Sequence, residues 1–174
     1  MIATGQHGKA STRAPANPPN GPHALGWSLV VIGLLTLGVF YAEDNVLVAT
    51  SGSVKHRWFW RTGETPKSGD YATFMLDHPL AGDAPVRLTK RLVCWAGDVL
   101  TVRRRDYYCN NQYVGRAKRT GLNGEPLPQF VYHGKIPSGK AFAAGSHVDS
   151  FDSRYWGFVD VCHTERLVPI FAGR

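Results

Sequence analysis

The sequence predicts a mostly β domain preceded by one transmembrane helix. Three features predict it. A charge-free apolar run, Gly26 to Ala42, stands near the N-terminus. Behind it come short apolar and aromatic runs separated by Gly-, Pro-, Asn- and Asp-containing turns, the pattern of a meander. Of the 174 residues, about 130 remain once that run and the segment before it are set aside, which suits one domain with one core.

Residues 1–25 are rich in Gly, Pro, Ala, Ser, Thr and Asn and lack apolar periodicity, so a disordered cytoplasmic tail is expected there. Residues 26–42 are expected to form the anchor. About 17 residues at ~1.5 Å rise give ~25 Å, the short end for a spanning helix. Trp27 and Tyr41 stand at its ends, where interfacial aromatics are favoured. Lys9 and Arg13 precede it and Glu43-Asp44 follow. The positive-inside rule then expects a single pass through the inner (cytoplasmic) membrane, with residues 45–174 in the periplasm. A cleaved signal peptide is the rival, but Phe40-Tyr41-Ala42 is not a small-x-small site. A buried core helix is a third reading, and the run has no polar face to support it.

The remainder divides into strands and turns. Val46 to Ala49 is a short strand running into Thr50-Ser51-Gly52-Ser53, and Trp58-Phe59-Trp60 continues extended. Lys67 to Asp70 is a turn before a strand from Tyr71 to Leu76; Asp77 to Pro85 is a loop. Val86 to Trp95 is a strong strand, which Ala96-Gly97-Asp98 turns into Val99 to Val102. The charge run at Arg103 to Asp106 reads as a solvated hairpin tip. Tyr107 to Cys109, the Asn110-Asn111 turn and Gln112 to Val114 complete the meander. Arg116 to Gln129 is irregular, since Gly124 to Pro128 is too proline-rich for a central strand. Pro137 to Lys140 is a turn, Ala141 to Ala144 a short strand, and Leu167 to Phe171 closes the chain.

The formal charge is +7, from 20 Lys+Arg against 13 Asp+Glu. Such an excess suits nucleic acid, anionic lipid or an acidic partner. His56 to Arg61 mixes basic and aromatic residues, but no nucleic-acid motif accompanies it, so a lipid bilayer is expected as partner and nucleic acid is not. Three cysteines, Cys94, Cys109 and Cys162, allow at most one pair. Cys94 and Cys162 are expected as buried small apolar residues. No C-x-x-C spacing exists, so no metal site is expected, and no residue pattern calls for a cofactor.

Three segments carry chemistry. Ser150-Phe151-Asp152-Ser153-Arg154-Tyr155-Trp156-Gly157 packs a carboxylate, a guanidinium, hydroxyls and aromatic rings into one stretch. Lys90 lies in an apolar strand, where period two gives it a face with Leu88, Leu92 and Cys94 and turns Arg91 the other way with Val93 and Trp95. Burial of an amine disfavours its charged form and leaves a neutral base near pH 7. Ser53 supplies a hydroxyl that such a base can activate; Gly52 permits a sharp backbone and Ser51 a second hydroxyl. A serine, a lysine in an apolar strand and a downstream Ser/Asp/Arg cluster are the parts of a Ser–Lys hydrolase; the alternative is an edge strand whose lysine snorkels to water.

The order Ser51-Gly52-Ser53, Gly69-Asp70, Lys90-Arg91-x-Val93 through Gly97-Asp98, and Ser150 to Gly157 resembles the type I signal peptidase family. The Ser150-Phe151-Asp152-Ser153-Arg154 form, with Gly124-Glu125-Pro126-Leu127-Pro128 upstream, is most similar to the conjugative-transfer, pilin-processing branch. The resemblance implies a signal peptidase-like antiparallel β domain with an apolar surface against the membrane. It implies Ser53 as acylating nucleophile and Lys90 as general base. Ser51 Oγ and the Ser53 N–H would form the oxyanion hole, Ser150 would orient the lysine, and Asp152 and Arg154 would support the site. Trp58, Phe59 and Trp60 would settle at the headgroups or pack in the core. The substrate would be a membrane-bound precursor, pilin-like or signal peptide-bearing, cut after small residues and released as a linear or cyclic product.

Departures from the family pattern are local. No proline follows the serine within the next few residues, and Arg57 stands where the conjugative branch has glycine. Lys55, His56 and Arg57 are expected to crowd positive charge beside the dyad and help lower the lysine pKa. The turn before Asp98 reads Trp95-Ala96-Gly97. Two competing functions follow: a catalytically inactive membrane-anchored β-domain subunit of a secretion or conjugation apparatus, and a soluble Ser–Lys self-cleaving repressor.

Overall fold

The computed structural model describes residues 22–171. Most of the expected tail therefore lies outside the described residues. Its last part, residues 22–25, belongs instead to the helix α1, Pro22–Asn45, which also continues past the apolar run through Glu43 and Asp44. Proline is tolerated in a first turn, where its missing N–H has no helical partner to lose, so the helix can start there. Gly26–Asn45 has a mean hydropathy of 1.6 and is long and apolar enough to cross a membrane. Residues from Ala42 onward form a separate compact unit.

That unit is built from eleven strands: β1 Val46–Val48, β2 Trp58–Arg61, β3 Tyr71–Leu76, β4 Val86–Trp95, β5 Val99–Arg103, β6 Asp106–Cys109, β7 Gln112–Arg116, β8 Gly134–Lys135, β9 Lys140–Ala144, β10 Val159–Asp160 and β11 Thr164–Pro169. A one-turn helix, α2 Ser153–Trp156, precedes β10. One sheet runs β1-β2-β11-β3-β4-β9-β10 and the other β7-β6-β5-β8. Every pairing is antiparallel. The mostly β class read from the turns is therefore the observed one. The short pieces were not foreseen: β8, β10 and α2 have too few residues to show a period. The closing strand starts at Thr164 and ends at Pro169, earlier than the apolar pattern suggested. Thr164 and Glu165 join it because they pair with Phe74 and Thr73 of β3.

Two corrections concern cysteine and charge. Cys94 and Cys109 form a disulfide that joins β4 to β6, whereas Cys162 is free and exposed rather than buried. Asp98, between them in sequence, accepts from Trp95 N at 2.7 Å and from Asn110 Nδ2 at 2.8 Å, which pins the turn. At the β5–β6 tip Arg103 and Arg104 are exposed as expected, whereas Arg105 is half-buried: its Nε donates to Ala117 O at 2.9 Å and its Nη2 to Lys118 O.

The strand that matters most is β4. Lys90 and Leu92 are buried and Arg91 is exposed, as period two requires. A bulge between Leu92 and Cys94 then shifts the register against β9. Leu92 belongs to a cluster with Ala72, Phe74, Ala141 and Ala143, while Cys94 joins Leu100, Val102 and Tyr107 in another. The expected common face thus ends at Leu92, and one strand serves two cores.

Candidate active site

The loop between β1 and β2 carries Ser51 and Ser53. Register Val48↔Trp58 and the bond from Ala49 N to Arg57 O at 2.8 Å close its base. Val54 pins it from inside, buried with Ala49, Phe59 and Leu167. Strand alternation divides the aromatic triplet: Phe59 is wholly buried, Trp58 is exposed and Trp60 lies between. Ser51 Oγ donates to Ser53 Oγ at 3.0 Å. The Ser53 carbonyl accepts from Ser146 N at 2.8 Å, fastening the loop to the segment before Ser150.

Lys90 Nζ donates to Ser150 Oγ at 2.9 Å, and both residues are only 2% exposed. Gly145 explains how Ser53 and Ser150 come so close. A Cβ there would lie 2.0 Å from Ser150 Oγ and 2.7 Å from Ser53 O, so only glycine fits between them. Gly145→Ala is expected to destabilise the domain by about 1–3 kcal/mol, since the added methyl overpacks a site already filled by Ser150 and the Ser53 carbonyl; thermal unfolding of the variant checks it.

Behind these groups lies a buried ion pair. Arg154 donates Nε to Asp152 Oδ1 and Nη2 to Asp152 Oδ2, each at 2.7 Å. The same guanidinium holds Ser150 O at 3.2 Å and Arg116 O at 2.7 Å. Asp152 also caps α2, accepting from Arg154 N, and accepts from Gly145 N at 2.9 Å. Ser153 Oγ accepts from Ala143 N of β9 at 2.9 Å. The Asp152–Arg154 pair therefore fixes Gly145 and Ser150 by their backbones. Tyr107 Oη completes the frame, its one proton shared between Phe130 O at 2.5 Å and Arg154 O at 2.9 Å.

Electrostatics follow from this burial. Desolvation is the main cause that lowers Lys90 from 10.5 to about 8; the Asp152 charge opposes it and the Arg154 charge assists. The expected source, Lys55 to Arg57, is not among the causes: Lys55 and Arg57 are exposed to solvent, which screens them. Burial alone would lower the Arg154 guanidinium, but Asp152 outweighs it and holds it above its ordinary value.

Ser51, Ser53 and Lys90 line one cleft of about 470 Å³, with Leu47 to Thr50, Arg87 to Thr89, Asp149 and Phe151. Among the described residues no hydrogen bond joins Ser53 Oγ to Lys90 Nζ; the two groups share the cleft and are tied through Ser150, Gly145 and Ser146. Catalytic hydrogen bonds are often loose before substrate arrives. The last two, together with Phe151 and Asp149, are site residues that residue-type reasoning did not single out. Backbone roles and cleft walls leave no mark in a pattern of chemical groups.

The cleft is thus edged by strands and holds a hydroxyl and a desolvated amine. The chain belongs to the signal peptidase, peptidase S26, family, which matches residues 37–166. It is thus a peptidase of the class that acts on membrane precursors. Among solved structures, a signal peptidase I from Enterococcus faecalis is similar, with 26% identity and a TM-score of 0.40, covering 60% of this chain and 97% of that one. No curated protein matches.

Proposed function

We propose that this protein is a membrane-anchored serine endopeptidase in which Ser53 is the nucleophile and Lys90 its general base. The observation that carries the reading is Lys90: a lysine 2% exposed, lowered to about 8, in the same cleft as Ser53. Holding a lysine in an apolar core costs stability, which a structural role would not require.

Ser53 Oγ attacks the scissile carbonyl carbon while its proton passes to Lys90 Nζ. The tetrahedral intermediate collapses, the C–N bond breaks, and Lys90 returns the proton to the leaving amine. The acyl-enzyme is then resolved by water, or by an amine of the substrate to give a ring. Ser51 Oγ, already turned toward Ser53, and the Ser53 N–H are the oxyanion donors in this reading. Ser150 keeps the amine aimed.

The substrate is an extended chain. β1 is an edge strand, and residues 86–90 of β4 pair with β3 on one side only. Both free edges border the cleft, so a peptide can add as a strand between them. A membrane-bound precursor fits the helix α1 and an exposed apolar rim beside the cleft, formed by Val48, Trp58, Val168, Ile170 and Phe171. The Cys94–Cys109 disulfide fits an oxidising compartment such as the periplasm. The conjugative branch, with a pilin-like precursor, rests on the Ser150 to Arg154 and Gly124 to Pro128 segments. Lys55 and Arg57 are exposed, which supports reading the domain as active rather than as an inactive scaffold.

The test is Ser53→Ala in the native host. A membrane precursor is expected to accumulate uncut, at least about a thousandfold slower in processing. Processing at the wild-type rate would refute the assignment.

A further inference from the structure

We propose that a second cavity, beside Ser150, binds the residues that follow the scissile bond and selects apolar side chains there. This rests on the Ser53–Lys90 reading given above. The cavity is about 510 Å³ and its walls include Leu80, Val86, Leu88, Leu122, Leu127 and Phe151. It shares Leu88, Asp149 and Phe151 with the Ser53–Lys90 cleft, so the two adjoin.

Proton transfer fixes which half of the substrate lies where. The proton that Lys90 Nζ takes from Ser53 must be returned to the leaving nitrogen, so that nitrogen comes within hydrogen-bond reach of Nζ. Nζ is held at 2.9 Å from Ser150 Oγ. Ser150 lines the second cavity and not the first, whereas Ser53 lines the first and not the second. The acyl half therefore stays with Ser53 between the free strand edges. The amine half leaves past Ser150 into the second cavity.

The walls of that cavity set its preference. One is the 3₁₀ turn Pro79–Ala81. The other is a small hairpin closed by the Thr120↔Pro126 bridge and by Gly121 N to Glu125 O at 2.8 Å. Leu122 at its tip is 79% exposed and Leu80 opposite is 43% exposed, apolar side chains kept in water at the mouth. The charged groups are already engaged: Lys118 with Asp149, and the Glu125 carboxylate with Asn123 N–H. What remains to reward binding is burial of apolar area, and one buried apolar side chain is worth about tenfold or more in rate.

The full chain in detergent, with two internally quenched peptides identical up to the cut, provides the test. One carries Leu-Leu immediately after the cut and the other Ser-Ser. The Leu-Leu peptide is expected to show at least about a tenfold higher kcat/KM. In Leu80→Ser/Leu122→Ser, both exposed positions, that ratio should fall to about two or below. Equal kcat/KM for the two peptides in the wild-type enzyme, or an unchanged ratio in the double variant, overturns the second site alone. Cleavage of neither peptide, or cleavage that survives Ser53→Ala, overturns the Ser53–Lys90 reading and this inference with it.

Discussion

Lys90→Met is expected to abolish precursor cleavage, by about a thousandfold or more, and to leave the fold at least as stable as wild type at pH 7. Both halves follow from burial. Lys90 is 2% exposed and lies in β4 between Leu88 and Leu92, both part of or packed against the cluster that holds Ala72 and Phe74. Its folded-state value is lowered from 10.5 to about 8, chiefly by desolvation. The lowering of the folded-state value amounts to roughly 3 kcal/mol against the native state wherever the unfolded lysine is charged and the folded one must be too, below about pH 8. Methionine has similar volume and no charge to desolvate. It leaves Ser150 Oγ without its donor, which returns about 1–2 kcal/mol of that gain. The sign is checked by pH. Between about pH 8 and 10.5 the unfolded wild type binds a proton that the folded state has lost, so wild-type stability rises with pH across this window. Denaturant unfolding should show that slope in wild type and not in the variant. A structural lysine would give the opposite result: loss of stability, with cleavage lost only through unfolding.

Asp152→Ala is expected to destabilise the domain by about 3–5 kcal/mol, a Tm fall of roughly 10 °C or more. Asp152 is wholly buried and Arg154 3% exposed, and two 2.7 Å bonds join them. Removing the carboxylate strands a guanidinium in the core and orphans the Gly145 N–H. Arg154→Ala should cost less, because the remaining carboxylate keeps its backbone donors at Gly145 and Arg154. Adding Arg154→Leu to Asp152→Ala should recover about half of the loss or more, since no charge is then left unpaired. Thermal unfolding of the three variants measures this. Equal Tm for Asp152→Ala and wild type would mean that the pair does not support the site.

Much of this site was legible in the sequence, and the reasons differ residue by residue. Lys90 announced itself because a charge on an apolar face of a ten-residue strand is costly and the period-two pattern exposes it. The Ser150 to Arg154 hub was legible as a density of polar groups, and the structure spends each one on a named partner. Ser53 was not legible from its own tripeptide; only its order relative to the later motifs pointed to it. The bulge after Leu92 was hidden, because a single inserted residue leaves no trace in a run that is apolar on both faces. Gly145 was hidden for a different cause: its role is the space it leaves free, and nothing in its neighbours states that space. The exposure of Lys55 and Arg57 was hidden because sequence proximity to a serine says nothing about which way long side chains point.

The central claim is that an uncharged Lys90 amine takes the proton of Ser53. The pH dependence of kcat/KM for cleavage of a precursor peptide tests it most directly. The account predicts an acid limb that rises about tenfold per pH unit from roughly pH 6 and levels at an inflection near 8. A profile that is flat through pH 8 would contradict it.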